Sequence, residues 1–155
     1  PYMADRGEGY LLNTASAAGL LSQFGSLHYA ITKHAAVSLA EWVAITHGHQ
    51  GIKVSVLCPQ AVHSNIVSNS PDAEKMVGTG SDVAGADGTL TAEDVADTVM
   101  DALRAERFHV LPHAEVADYV ARKGADVDRW IGGMQRWQGS MFPADQHPAT
   151  WLTGS

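Results

Sequence analysis

Tyr29 and Lys33 stand four residues apart in a stretch with helical periodicity, so their side chains leave one helix face about 5–6 Å apart at Cβ. A phenol, with a reference pKa of about 10, is a poor acid or base at neutral pH, and a neighbouring ammonium favours its ionised form. The pair is a candidate for proton transfer, with Lys33 biasing Tyr29. Ser16 lies thirteen residues before Tyr29, just past an apolar run. Its hydroxyl suits donation to a carbonyl oxygen that gains negative charge during reaction. A Tyr and a Lys at this spacing also occur on ordinary amphipathic helices, so the weight rests on the elements that position them.

Tyr10-Leu11-Leu12-Asn13-Thr14, after the turn-like Arg6-Gly7-Glu8-Gly9, reads as a buried strand with Ser16 beyond its C-terminal end. The spacing predicts a helix from about Tyr29 to Thr46, its apolar face formed by Ile31, Ala35, Leu39 and Val43 with Ala36 and Ala40, and its exit marked by Gly48 and Gly51. Lys53 to Cys58 is a second strand, rich in β-branched residues and stopped by Pro59. A mixed, glycine-containing region over 64–90, with a short helical candidate from Asp72 to Val77, is expected to form a substrate lid. Thr91 and Asp94 open a further helix in capping-box style, followed by Val95, Val99 and Leu103. Phe108 to Leu111, before Pro112, is a third short strand. Strands alternating with helices predict an α/β fold with a parallel sheet.

Beyond Pro112, Val116, Tyr119, Val120, Val127, Trp130, Ile131, Met134 and Trp137 recur at helical spacing, interrupted near Gly124 and at Gly132-Gly133. This extension, 113–155, is expected to lie on the chain's own core, with capping of the substrate pocket or packing on another subunit as alternatives. An irregular tail is expected after Met141.

The chain has 155 residues, 45% hydrophobic and 17% charged, with a formal net charge of −7. That balance suits a folded domain and disfavours nucleic acid as a partner, because phosphate neutralisation requires clustered Lys and Arg. No run approaches the roughly 18 apolar residues of a membrane span. The single cysteine, Cys58, follows an apolar run and reads as a buried reduced thiol, which suits a cytoplasmic setting. No metal is expected: His47 and His49, or His109 and His113, have no accompanying ligands at a recognised spacing. The absence of Gly-x-Ser-x-Gly makes Ser16 a poor hydrolase nucleophile. Glu93, Asp94, Asp97 and Asp101 form a face most simply read as solvated.

The order Asn13-Thr14-Ala15-Ser16-Ala17-Ala18-Gly19, then Tyr29-Ala30-Ile31-Thr32-Lys33, then Val54-Ser55-Val56-Leu57-Cys58-Pro59 and Ser64 resembles the short-chain dehydrogenase/reductase family over roughly Gly7 to Pro112. The resemblance implies the C-terminal catalytic half of a Rossmann-like, doubly wound parallel sheet, with 1–112 as that half. It also implies an oxidoreductase that interconverts a secondary alcohol and a ketone with NAD or NADP. Ser16 would orient the substrate carbonyl, Tyr29 would exchange the proton, and Lys33 would bias Tyr29 and bind the nicotinamide ribose. The family's Pro-Gly-x-Val-x-Thr loop corresponds to Pro59-Gln60-Ala61-Val62-His63-Ser64, which places Pro59, Val62 and Ser64 at the cofactor. Ser16, Ala17, Phe24, Tyr29 and Gln60 would face the substrate.

Two departures stand out. Gln60 occupies the loop's glycine position, and the family's glycine-rich nucleotide fingerprint and catalytic asparagine would fall upstream of Pro1. The chain is therefore expected to begin mid-fold and to be inactive alone. The resemblance further implies a homo-oligomer, dimer or tetramer, through the Tyr29 helix, with Ala36, Ala40 and Trp42 as interface candidates. The competing reading is a non-catalytic interaction module that assembles with a partner.

Overall fold

A computed structural model describes residues 1–65 and 81–142. A short helix α1 (Tyr2–Arg6) turns through left-handed Gly7 into strand β1 (Gly9–Thr14). The one-turn helix α2 (Ala18–Leu21) and the long helix α3 (Leu27–His47) follow. A 3₁₀ turn (Gly48–Gln50) then leads into β2 (Ile52–Leu57). After α4 (Ser81–Ala84) and α5 (Ala92–Arg104) comes the two-residue strand β3 (His109–Val110), and helices α6 (Glu115–Ala125) and α7 (Val127–Met141) complete the described chain. The three strands form one parallel sheet in the order β1-β2-β3, with Gly9 opposite Ile52, Thr14 opposite Leu57, and Leu57 opposite Val110. The expected α/β class and parallel sheet are both observed.

The central strand is buried along nearly its whole length, as a strand covered on both faces must be. Ile52, Val54, Val56 and Cys58 point to one side, against Ala15 and against Val37 and Ala40 of α3. Leu57 points to the other, against Val95 and Ala102 of α5 and Val110 of β3. The polar exception on β2 is Ser55, fully buried, whose hydroxyl donates to the Arg107 carbonyl (2.6 Å) and accepts from the Tyr10 hydroxyl (2.8 Å). It thus links β2 to β1 and to the segment that leads into β3. Thr91 and Asp94 form the anticipated capping box, each side chain accepting the other's backbone N–H at 3.1 Å.

The expected inner face of α3 requires correction. Ala30, Val37 and Ala40 face the core, whereas Ile31 (59% exposed) and Leu39 (56%) point outward, as does Ala35. The helix is apolar on more than one side, so periodicity alone does not orient it. Close packing against the sheet selects the side with small residues. Ala40 is fully buried in the chain's own core, so it is not available to an interface, while Trp42 is 57% exposed. The C-terminal extension breaks at Asp126, whose carboxylate accepts from the Arg129 N–H (2.9 Å) as the cap of α7; Gly132 and Gly133 lie inside that helix. The helical candidate from Asp72 to Val77 and the tail beyond 142 lie outside the described residues, as does most of the expected lid.

The entry to β2 depends on one glycine. Gly51 has φ +76°, and a Cβ there would stand 2.0 Å from the Gly7 carbonyl oxygen. Gly51→Ala combines left-handed strain with a backbone collision and is expected to destabilise the fold by about 2–4 kcal/mol. The check is a lower denaturant midpoint at unchanged slope; an unchanged midpoint would contradict the crossing described.

Candidate active site

The residues singled out for chemistry lie on the segments that follow the C-terminal ends of β1 and β2, the edge at which open α/β sheets place their ligands. The pairing of β1 with β2 runs past both strands: the Ala15 N–H donates to the Leu57 carbonyl and the Ala17 N–H to the Pro59 carbonyl, each at 2.8 Å. Ser16 lies between these two rungs and is buried. Its Oγ accepts the Ala18 N–H (3.2 Å) and donates to the Pro59 carbonyl (3.3 Å). Both bonds are long, so the hydroxyl is held in place with a weakly engaged proton.

Gly19 then brings α2 directly onto α3. A Cβ at that position would lie 2.6 Å from the Lys33 carbonyl oxygen and 3.0 Å from Val37 Cγ2. The turn that carries Ser16 is therefore packed on the turn that carries Lys33. Tyr29 sits in the first turn of α3, half-buried, and its carbonyl accepts the Thr32 hydroxyl (2.9 Å). One turn on, the Lys33 ammonium lies 5.5 Å from the centroid of the Tyr29 ring, within range for attraction between a cation and an aromatic face.

Cys58, next after β2, is buried in the core under this edge of the sheet. Burial pushes its thiol up to about 11, opposed by a backbone hydrogen bond from Ser16 and by the positive charge of Lys33.

The loop after β2 is anchored on its far side. Val62 bridges Leu90 in parallel pairing, the Ala61 N–H donates to the Ala84 carbonyl (3.0 Å), and the His63 N–H donates to the Leu90 carbonyl (2.9 Å). Ser64 is exposed. Phe24, in the loop between Ser16 and Tyr29, meets Trp137 edge to face at 5.2 Å and Phe142 at 6.0 Å. The Lys123 ammonium caps the Leu20 carbonyl at 2.6 Å. Helices α6 and α7 therefore pack on the chain's own segment between Ser16 and Tyr29.

Gln60 is directed away from open space: its amide Nε2–H donates to Asp87 (2.9 Å), which also accepts the Tyr119 hydroxyl (2.9 Å), and its backbone N–H donates to His113 Nδ1 (3.2 Å). No sequence signal pointed to Asp87, His113 or Tyr119 at this site, because they lie 27 to 59 positions along the chain from Gln60 with no motif in common. Among the described residues, no group of three or more His, Cys, Asp or Glu side chains is placed to hold a metal ion, and no helix is long and apolar enough to cross a membrane.

Two outcomes follow from this packing. Gly19→Ala forces α2 off the Lys33 backbone and is expected to cost about 1–3 kcal/mol, visible as a lowered melting temperature; an unaltered melt would contradict the contact. For Cys58, the folded thiol titrates near 11 and the unfolded one near 9.0. The proton is held longer in the folded state, so the contribution to stability is full below pH 9 and lost between pH 9 and 11. Wild type is expected to lose stability relative to Cys58→Ala across that window in denaturant titrations. Parallel pH profiles would contradict the assignment.

A family model described as short chain dehydrogenase matches residues 1–75. The chain is 33% identical over 132 residues to 1-deoxy-11-beta-hydroxypentalenate dehydrogenase of Streptomyces exfoliatus, covering 84% of this chain and 45% of that protein. It is 34% identical over 64 residues to meso-2,3-butanediol dehydrogenase of Serratia marcescens, covering 41% of this chain and 26% of that protein. Among solved structures, it matches a short-chain dehydrogenase/reductase from Burkholderia phymatum in complex with NAD, at 26% identity and a TM-score of 0.66, covering 81% of this chain and 50% of that one. The chain thus spans about half the length, or less, of these relatives. Together with the parallel sheet, these matches relate the chain in sequence and fold to the short-chain dehydrogenase/reductase family.

Proposed function

We propose that this chain is the catalytic half of an NAD(P)-dependent oxidoreductase that interconverts a secondary alcohol and a ketone, with Tyr29 as proton donor and acceptor. The observation that carries the reading is the stacking of the Lys33 ammonium against the Tyr29 ring, on a turn packed by Gly19 against the turn of Ser16. Relatives named for an 11-beta-hydroxy compound and for a butanediol support alcohol oxidation as the reaction class.

The residues present fit the nicotinamide end of a dinucleotide. Lys33 supplies a cation, Ser64 a hydroxyl and Val62 a backbone contact, all on segments at the C-terminal edge of the sheet. The related Burkholderia phymatum structure contains NAD. When bound, the nicotinamide supplies or accepts the hydride.

Everything else falls to the protein. Ser16 turns its proton from the Pro59 carbonyl to the substrate oxygen, stabilising the charge that develops there. Tyr29 delivers its phenolic proton to the same oxygen in the reductive direction and removes it in the oxidative direction. Lys33, whose ammonium lies over the Tyr29 ring, would hold that ring in place and would donate to the nicotinamide ribose. Ala17 and Phe24 would border the substrate, with Gln60 beside it through its backbone alone because its side chain is turned to Asp87, and α6 and α7 would shield it from water. Residues 1–112 would form the catalytic unit, with 64–90 as its lid region and 113–155 as a C-terminal extension.

We also propose that the protein is a homo-oligomer, and the support is specific. Leu27, Ile31, Leu39, Trp42 and Ile45 form an apolar stripe along α3, each 56–75% exposed, which is costly to leave in water. The same stripe favours the interaction-module reading, which differs in requiring no cofactor. A buried thiol and nicotinamide chemistry both suit the cytoplasm.

Tyr29→Phe removes only the phenolic oxygen. In the complete enzyme, turnover is expected to fall about 100- to 10,000-fold, with cofactor affinity nearly unchanged by fluorescence titration. Retention of most of the rate would show that Tyr29 is not the proton donor. Absence of nicotinamide binding in wild type would favour the module.

A further inference from the structure

We propose that Gln60 is a positioning residue: through its hydrogen bond to Asp87 it holds the peptide unit that orients the Ser16 hydroxyl. The inference rests on the reading above in one respect, that this hydroxyl meets the substrate carbonyl.

The Pro59–Gln60 peptide is gripped at both of its polar atoms. On one side its carbonyl accepts the Ala17 N–H (2.8 Å) and the Ser16 hydroxyl (3.3 Å). On the other its N–H donates to Nδ1 of His113, which is 4% exposed. The Gln60 side chain then ties this peptide to the C-terminal helices, since the Asp87 carboxylate accepts from the Gln60 amide with one oxygen and from Tyr119 of α6 with the other. The Tyr119 phenol is held above its ordinary pKa, chiefly because it donates to Asp87.

This arrangement is a poor way to gain stability. Gln60 Oε1 and His113 Nε2 are buried without a partner among the described residues, and such atoms are destabilising. Their orientation is nevertheless forced: the Asp87 carboxylate requires the NH₂ side of the amide, and the Gln60 N–H requires an unprotonated Nδ1 on His113. A glycine, which the family pattern places here, supplies no such brace. In this chain the side chain does the holding, and the Ser16 turn is its beneficiary.

The test uses Gln60→Glu, Gln60→Gly and the double variant Gln60→Glu/Asp87→Asn. Gln60→Glu sets two carboxylates against each other. The double variant exchanges amide and carboxylate: the amide at 87 keeps its oxygen for Tyr119 and turns its NH₂ to the carboxylate at 60. Amide hydrogen exchange of Ala17 and Gln60 in the purified protein is expected to accelerate about tenfold or more in both single variants and to return to within about threefold of wild type in the double variant. Ketone reduction by the complete enzyme should fall and recover in parallel.

Unchanged exchange of Ala17 in the single variants overturns the proposal. So does failure of the exchanged pair to restore protection while it melts at the wild-type temperature. Faster exchange with undiminished turnover also overturns it, because Ser16 would then not depend on the brace. If wild type reduces no ketone, the catalytic reading fails separately, and the exchange data alone decide whether Gln60 holds the Ser16 turn.

Discussion

The site depends on a hydrogen-bond ladder that continues after its strands have ended. Parallel pairing of β1 with β2 extends through Ala15 to Leu57 and Ala17 to Pro59, so the Ser16 turn and the loop after β2 are two rims of one edge. Ser16 is fixed by the rungs on either side of it, and its own hydroxyl is only lightly engaged. A side chain that must change hydrogen-bond partner during a reaction is well served by a rigid backbone and a loosely committed proton. The rest of the site is built onto this edge: Gly19 lays α2 on α3, and α3 delivers Tyr29 and Lys33 one turn apart.

Burial on both faces of β2 explains why the edge is rigid. Ile52, Val54 and Val56 face α3 on one side and Leu57 faces α5 on the other, and Ser55 uses its one hydroxyl to link β2 to β1 and to the segment leading into β3. Small residues on the inner side of α3 allow the helix to approach closely, which displaces its larger apolar residues to the outside. The exposed stripe from Leu27 to Ile45 is a consequence of the same packing. The face that orients Tyr29 and Lys33 and the face that favours association are opposite sides of one helix.

Much of this was legible in the sequence because the signals are local. The β-branched run ending at Pro59, the Thr91–Asp94 box and the i, i+4 spacing of Tyr29 and Lys33 each involve a few neighbouring residues, and each appears in the structure at or near its expected place. The inner face of α3 was not legible, since Ile31 and Leu39 are as apolar as Val37, and only the space available against the sheet separates them. The brace of Gln60, Asp87, His113 and Tyr119 was not legible either. It unites four segments through side-chain hydrogen bonds, and long-range polar contacts leave no periodicity to read. The break between α6 and α7 falls close to the interruption expected near Gly124, set by the capping carboxylate of Asp126, whereas the one expected at Gly132-Gly133 is absent because both glycines lie inside α7.

The central claim is that Ser16 and Tyr29 act on one oxygen atom with Lys33 behind them. A crystal structure of the complete enzyme with a nicotinamide cofactor and a ketone tests it most directly. The predicted result is a carbonyl oxygen about 2.5–3.0 Å from both Ser16 Oγ and the Tyr29 hydroxyl, with the Lys33 ammonium on the ribose hydroxyls. A ketone bound with its carbonyl out of reach of either hydroxyl, in a complex that turns over when the crystal is supplied with reduced cofactor, would contradict it.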